Sequence, residues 1–303
     1  MPGVITTGNH PKALWPGVKA WFGVGYGEHP EEYKDLFETM TSSQAWEEDV
    51  KTSGFPLANV KREGAATTYA SHNQLYTSRY THVAYSLGFI VTFEERLNNL
   101  YAKIANSRSK SLGFSMRQTK EKVAANVYNR AFSGSYLGGD GVCLVSASHP
   151  SSVGNQSNIL APAADLSENS IEDLLIMIMG AQNNDGLEIG LMGESLHIPR
   201  QLYFEANRIM KTTLQVHTAD NTINAIKATG QLPGGIKLNH YFSDADAIFI
   251  RTNVPDGMKH YQRHKIDLEQ DNDFDTKNAK ASSYDYYSFG WSDPLGVFGS
   301  PGA

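Results

Sequence analysis

The longest helical pattern in the chain runs from about residue 94 to residue 132. Apolar residues recur every three or four positions, first at Leu97, Leu100 and Ile104, then at Met116 and Val127. This spacing predicts one long amphipathic helix, with a break expected near position 113, where a glycine stands. An unbroken helix would be roughly 55–60 Å long at 1.5 Å per residue. It would have to cross the whole molecule or project from it.

The regions after this helix predict a mixture of strands and helices. A Ser-x-x-Asp capping box at residues 170–173 predicts a helix to about 181, and Pro199 predicts the start of a helix to 211. Short strands are expected at 142–145, 195–198, 236–241 and 247–251. Beyond residue 258, hydrophobic residues alternate with polar ones, which is typical of long antiparallel strands. The alternation of strands and helices before residue 258 predicts a compact α/β or α+β subdomain.

The first 92 residues do not have a pattern that predicts a hydrophobic core of their own. Residues 1–60 are rich in Gly, Pro and Trp and predict an extended arm with one helix, whose apolar stripe is Tyr33, Leu36, Phe37 and Met40. Residues 76–85 predict a strand that pairs with 67–70 across a turn at 71–73. Neither face of this ribbon is apolar, and an isolated two-stranded ribbon is marginally stable. It is therefore expected to rest on its own domain or on a neighbouring subunit.

Composition excludes several classes of protein. The 303 residues include 26 Lys+Arg and 32 Asp+Glu, a net charge of −6, which argues against sequence-independent nucleic-acid binding. The single cysteine, Cys143, excludes an internal disulfide framework and a multi-cysteine zinc site. Residues 1–20 do not have the pattern of a signal peptide, and no apolar run is long enough for a membrane span.

Catalytic and metal-binding patterns are weak. Phosphate-loop, nucleophile-elbow and zinc-helix motifs are absent from the sequence. Asp140 and His149 allow an acid–base pair, but a turn at Asp140 and a strand end at His149 explain them more simply. His260 and His264 would share a face only in a helix, and their segment predicts a strand. The glycine clusters at 23–27 and 138–141 are interpreted as turns. We therefore expect no enzyme activity, cofactor or metal.

Surfaces for self-association are the better candidates, because tyrosine is enriched at protein contacts. The candidate interface residues lie in the ribbon and the N-terminal arm. They are Tyr69, Tyr76, Arg79, Tyr80, His82 and Tyr85 in the ribbon, and Trp15, Trp21 and Phe22 in the arm.

Several short blocks, taken in order, resemble the major capsid proteins of tailed bacteriophages, and most closely the Mu-like major head subunit. The blocks are Asn126-Val127-Tyr128-Asn129-Arg130-Ala131-Phe132, Gly139-Asp140-Gly141-Val142-Cys143-Leu144-Val145-Ser146, Ser148-His149-Pro150, Ser157-Asn158, Leu196-His197-Ile198-Pro199, Asn221-Thr222-Ile223-Asn224 and the segment 290–300. The resemblance covers nearly the whole chain, from about residue 33 to residue 302.

The resemblance implies the α+β fold class, in the form of the Hong Kong 97-type capsid fold, and a division into parts. These are an N-terminal arm (1–60), an extended β-hairpin loop (61–92), a peripheral domain (93–166 and 254–303) with a spine helix at about 94–132, and an axial domain (167–253). The implied function is self-assembly, through homo-pentamers and homo-hexamers, into an icosahedral head enclosing double-stranded DNA. Portal, scaffold or decoration proteins are implied partners. DNA would be confined without specific binding, no membrane is involved, and the virion would assemble in the host cytoplasm.

Two departures and two alternatives qualify this interpretation. The arm is short, so any scaffold is expected to be a separate protein. The chain has no lysine between Lys61 and Lys103, so the lysine–asparagine crosslink that joins neighbouring subunits in some family members is not expected in the extended loop. An encapsulin-like cellular shell and a soluble hydrolase using Asp140 and His149 remain the alternatives.

Overall fold

The computed structural model describes residues 15–97, 101–215 and 222–303. Its helices are α1 (Trp15–Tyr26), α2 (Tyr33–Leu36), α3 (Phe93–Leu97), α4 (Tyr101–Asn129), α5 (Glu168–Met179), α6 (Tyr203–Lys211) and α7 (Ala225–Ala228). Its strands are β1 (Glu38–Thr41), β2 (Trp46–Thr52), β3 (Gln74–Thr81), β4 (Val83–Val91), β5 (Gly193–Pro199), β6 (Ile236–Asn239), β7 (Ile248–Thr252), β8 (Met258–Asn272), β9 (Ala279–Trp291) and β10 (Val297–Ser300). Among the described helices, none combines the length and hydrophobicity of a membrane span.

The strands of the described residues form two four-stranded sheets and a separate ribbon. One sheet has the order β1-β8-β9-β4, the other β10-β7-β5-β6, and the ribbon is β2-β3. Strand β9 is buried at every second position, at Ala279, Ala281, Ser283, Asp285 and Tyr287. Successive side chains of a strand point to opposite faces, so one face of this sheet is covered. Helix α4 and helix α1 pack against this sheet.

Within the part of the chain that the structure describes, apolar side chains form three cores. The first joins α5 and α6 to β5 and β7, and the second packs α2 and the end of α4 around Phe249 and Val297. The third joins α1 to α4, β8 and β9 through Val18, Phe22 and Met116. Helix α4 therefore contributes to two of the three cores.

Helices α1 and α4 approach each other closely at two glycines. A Cβ added to Gly25 would lie 2.1 Å from the carbonyl oxygen of Lys110, and one added to Gly113 would lie 2.4 Å from that of Phe22. Ser109 Oγ also donates a hydrogen bond to the Val18 carbonyl at 2.6 Å. The predicted break near Gly113 is therefore wrong: α4 is continuous there, and glycine is needed for helix–helix contact. The turn interpretation is also wrong for positions 23–25, which are helical.

Local structure differs from expectation at the start of the chain and of α5. The stripe from Tyr33 to Met40 is one helical turn followed by strand, because residues 38–41 pair in parallel with β8. Tyr33, Leu36 and Phe37 are nevertheless buried, as the stripe predicted. Helix α5 begins three residues earlier than expected, at a reciprocal capping box between Ser167 and Ser170.

The ribbon has a different partner from the one predicted. Strand β3 pairs with β2, not with residues 67–70, and β4 belongs to the large sheet, where it pairs with β9. The segment 76–85 is thus two strands that serve two sheets. Residues 142–145 form irregular structure rather than the expected strand, although Leu144 and Val145 are buried.

Candidate assembly surfaces

Polar contacts attach the ribbon to the large sheet. Asp49 of β2 accepts hydrogen bonds from Lys259 Nζ at 2.6 Å, from Tyr261 Oη at 3.3 Å and from Ser292 Oγ. Lys51 forms an ion pair with Asp293. Burial of Lys259 disfavours its charge, but its hydrogen bonds to Asp256 and Asp49 outweigh this effect and raise its pKa to about 12. The ammonium group stays charged and holds the base of the ribbon.

Four of the predicted interface residues are engaged inside the subunit. Tyr80 is buried and its hydroxyl lies 2.5 Å from Ser292 Oγ, while Tyr76 donates to the Ser292 carbonyl at 3.2 Å. The buried His82 ring contacts Ser288 Oγ through Nδ1 at 2.9 Å and Ser42 Oγ through Nε2 at 3.1 Å. The half-buried Tyr85 stacks on Tyr287, with ring centroids 4.9 Å apart. These side chains position the ribbon within its own subunit.

The remaining predicted ribbon residues are exposed. Arg79 lies over the Trp46 ring at 4.4 Å, close to Glu48. Tyr69 lies in the segment between β2 and β3, which we call the tip (residues 53–73). Tyr69 is 90% exposed and Val60 95% exposed, and Phe55 and Leu57 are also largely uncovered.

The base of the tip is closed by hydrogen bonds between its two ends. The Ser53 amide donates to the Asn73 carbonyl at 2.8 Å, and the Asn73 amide donates to Ser53 Oγ at 2.9 Å. The tip is therefore a loop whose two ends are held together at the end of the β2–β3 ladder.

The aromatic residues predicted at the N-terminal arm lie in different environments. Phe22 is buried between α1 and α4, where it stabilises the third core. Trp21 is 43% exposed on the opposite side of α1, next to the exposed Val24. Trp15 is the first residue of α1, and its side chain lies outside the described part of the structure. Trp21 is thus available for contact, whereas Phe22 is not.

Further exposed apolar side chains on α5, on α6 and at Ile223 were not predicted from the sequence as contact residues. Ile176 and Met179 are exposed on α5, and Phe204 on α6 and Ile223 are 73% and 67% exposed. The sequence did contain an indication of this, because residues 174–179 are apolar on all sides of the helix. A helix with this pattern is normally buried on every side.

Asp140 and His149 do come together, in a buried structural network. His149 Nδ1 lies 2.6 Å from Asp140 Oδ2, and His149 Nε2 lies 3.1 Å from Asn158 Oδ1. The Asn158 amide group donates to the Leu144 and Val297 carbonyls, among others. Both ring nitrogens are thus engaged by Asp140 and Asn158, and the network ties the 138–160 loop to the C-terminal segment. This arrangement favours a positioning role.

A cleft of about 680 Å³ lies beside this network, between the ribbon, the 149–156 loop and the 182–191 loop. Asp140 and His149 contribute to its wall. Within the described ranges, no three His, Cys, Asp or Glu side chains are grouped as metal ligands.

The two histidines of β8 face different surroundings. The buried His260 ring stacks on Phe289 at 4.3 Å, and burial lowers its pKa to about 3, so it is neutral. His264 is half-exposed, after a register shift in β8. The pair does not form a common site.

Buried charges lie between α4 and the N-terminal segment. Arg117 donates to the Tyr26 carbonyl at 3.0 Å and pairs with Glu31 at 2.7 Å. The buried Glu121 carboxylate accepts from the Tyr33 amide at 2.9 Å, at the start of α2. Desolvation raises the pKa of Glu121 to about 7, despite this hydrogen bond and the nearby Arg117 charge.

Comparison with known proteins assigns the chain to a family. A family model for phage capsid proteins matches residues 75–299, and because this is well over half of the chain, the protein belongs to that family. No curated protein sequence matches it.

Solved structures share the fold at low sequence identity. They include a virus-like particle from Pyrococcus furiosus (TM-score 0.57, 11% identity, 94% of this chain and 98% of that chain) and the capsid of an empty GTA particle (0.54, 10%, 99% and 91%). The capsid of Myoviridae phage XM1 gives a TM-score of 0.51 at 11% identity, with complete coverage of both chains. The capsid fold expected from the sequence is therefore confirmed, and the chain is a shell-forming major capsid protein.

Proposed function

We propose that this major capsid subunit assembles into an icosahedral phage head around double-stranded DNA, with the tip as its principal contact to a neighbouring subunit. The observation that carries this assignment is an anchored ribbon whose tip exposes four large apolar side chains. They are Phe55, Leu57, Val60 and Tyr69. A subunit that remained alone would leave these groups in water.

The energetics suit a shell built from repeated weak contacts. Full burial of one large apolar side chain contributes about 1.5–3 kcal/mol, and ordering a free loop offsets part of this gain. Trp21 and the exposed apolar side chains of α5 and of α6 offer further contacts. Once one contact forms, the others act at high effective concentration, so modest contacts together give a stable shell.

The division into parts follows the described elements. We assign the extended loop to β2, the tip and β3 (residues 46–81), rather than to residues 61–92, because β4 is a strand of the large sheet. Residues 15–41 form the arm, α4 is the spine helix, and residues 167–253 form the axial domain. Confinement of DNA without specific binding, portal and scaffold partners, and assembly in the host cytoplasm complete the proposal. It requires no catalytic step.

A tip deletion tests the proposal. Residues 54–72 are replaced by Asn-Gly, a sequence that favours a two-residue hairpin turn, between the hydrogen-bonded residues Ser53 and Asn73. The variant should remain folded, since it keeps β2, β3 and their anchors, but it should form no closed shells by electron microscopy. Phe274→Ser is the matched control, because Phe274 is 94% exposed in a different hairpin turn. Normal shells from the folded deletion variant would refute the role of the tip.

A further inference from the structure

Three side chains from different elements meet in the interior between α4 and the large sheet. Lys120 of α4 contacts the Gln262 amide oxygen on β8 through its Nζ atom. Asp285 of β9 accepts from Gln262 Nε2 through Oδ1 at 2.6 Å, and its Oδ2 atom lies 3.4 Å from Lys120 Nζ. An amine, a primary amide and a carboxyl group therefore touch one another pairwise.

The surroundings exclude water and are aromatic. The Lys120 and Asp285 side chains are 4% and 1% exposed. Lys120 Nζ lies 4.7 Å from the centroid of the Tyr287 ring and 5.2 Å from that of Tyr33. Burial lowers the pKa of Lys120 and raises the pKa of Asp285, against the attraction between the two groups. Both shifts favour the uncharged amine beside the uncharged acid.

The distances place the reacting atoms close together. The amide carbon of Gln262 is one carbonyl bond, about 1.23 Å, from the oxygen that Lys120 contacts. The nitrogen therefore lies within about 4 Å of that carbon, close to the 3–3.5 Å of a near-attack arrangement. Contacts of this kind give intramolecular reactions a large advantage over the same reaction in solution.

We propose that Lys120 and Gln262 join through an isopeptide bond within the subunit, with Asp285 transferring the proton. The ammonium proton of Lys120 passes to Asp285, and the free amine attacks the Gln262 amide carbon. Asp285 gives this proton to Nε2 and takes a proton from Nζ in its place, and the carbon–nitrogen bond to Nε2 breaks. The released ammonia takes the proton from Asp285 and leaves as ammonium, so an ammonium side chain and a primary amide become a secondary amide and an ammonium ion, and Asp285 is again a carboxylate.

The bond would fasten α4 to β8 covalently, across 142 residues of chain. Closing so long a loop lowers the entropy of the unfolded chain and stabilises the fold. The link lies inside one subunit, so it produces no band of covalent multimers on a denaturing gel. It depends only on the subunit interior and stands independently of shell assembly.

Mass spectrometry of the full-length protein tests the inference. The intact mass should be lower than that of the sequence by one ammonia. A tryptic digest should contain a branched peptide in which residues 118–122 are joined to residues 260–263, because trypsin does not cleave after an acylated lysine. A wild-type digest containing only the separate linear peptides, or an ammonia loss that maps elsewhere, would overturn the inference.

Substitutions identify the roles of the three groups. Asp285→Asn keeps the shape but cannot transfer the proton, and Lys120→Arg removes the attacking amine, so both variants should keep the full mass. Lys110→Arg is the matched control, since Lys110 lies on the same helix and pairs with Glu28 at the surface; it should retain the ammonia loss. A linked peptide in Asp285→Asn at wild-type yield would refute the role of Asp285.

Discussion

The contact between α1 and α4 allows a test in which two similar glycines respond in opposite ways to alanine. Gly25 faces the carbonyl oxygen of Lys110, and an added Cβ would lie 2.1 Å from it. Gly23, two residues earlier in α1, has no atom within 4 Å of the same position. Both residues are helical, so the helix propensity gained by the substitution is the same.

The magnitude follows from the displacement that Gly25→Ala requires. Ordinary contact begins at 3.4 Å, so the helices must separate by more than 1 Å at this point. A gap of that size removes a quarter to a half of the dispersion attraction between the facing side chains. Among these are Val18, Phe22 and Met116. We expect a cost of about 2–4 kcal/mol, offset by about 1 kcal/mol of helix propensity.

Urea unfolding of the unassembled subunit, followed by tryptophan fluorescence, measures these differences. Gly25→Ala should lower the free energy of unfolding by about 1–3 kcal/mol, whereas Gly23→Ala should raise it by about 0.5–1 kcal/mol. Gly113→Ala should behave like Gly25→Ala, because its Cβ would lie 2.4 Å from the Phe22 carbonyl oxygen. Equal stabilities for Gly23→Ala and Gly25→Ala would show that the two helices do not touch as described.

Three further predictions concern charged groups. Because the folded pKa of Glu121 is about 7 against an ordinary 4.5, its stabilising effect is complete below pH 4.5 and is lost as the pH rises through 7. Glu121→Gln should therefore gain up to about 3 kcal/mol over wild type between pH 4.5 and 8 in urea titrations, and a pH-independent difference would contradict this. Asp49→Asn should speed amide exchange in β2 and β3 roughly tenfold but not in β8, whereas Glu48→Gln, at a solvent-exposed pair, should change neither. Lys61 is the lysine of the tip and Lys51 pairs with Asp293, so assembled Lys61→Arg shells heated in detergent should run as a single monomer band, and a ladder of multimers from this variant would refute the absence of other loop crosslinks.

The elements that the sequence predicted well are those whose pattern is local. The long helix and strands β8 and β9 follow from periodicities of 3.6 and 2, because each buries one face over many residues. Gly113 shows the opposite case. The local sequence predicts a helix break at this glycine. In the structure the backbone of α1 lies against it at Phe22, which is 91 residues away in the chain. No local pattern contains that information.

The predicted pairing of the ribbon was wrong for a related reason. Strand β2 alternates half-buried and exposed residues without an apolar face, and its pairing with β3 spans the whole tip. The positions of Tyr80 and His82 are likewise set by Ser292 and Ser288, more than 200 residues later in the chain. Tyrosine content alone indicated contact surfaces, but it did not distinguish contacts within a subunit from contacts between subunits.

The difference between the ribbon and the body of the subunit bears on how a shell is built. The sheets are held by three apolar cores, whereas the ribbon is held mainly by polar contacts through Asp49, Lys51 and Tyr80. Partly exposed ion pairs contribute only about 0–1 kcal/mol each, far less than a buried apolar side chain. The outer part of the ribbon, beyond the buried Tyr80 and His82, can therefore shift relative to the sheet at low cost while the body stays intact. A tip on such a support can adapt to neighbours that meet it at different angles, as the pentamers and hexamers of the proposed icosahedral head would require.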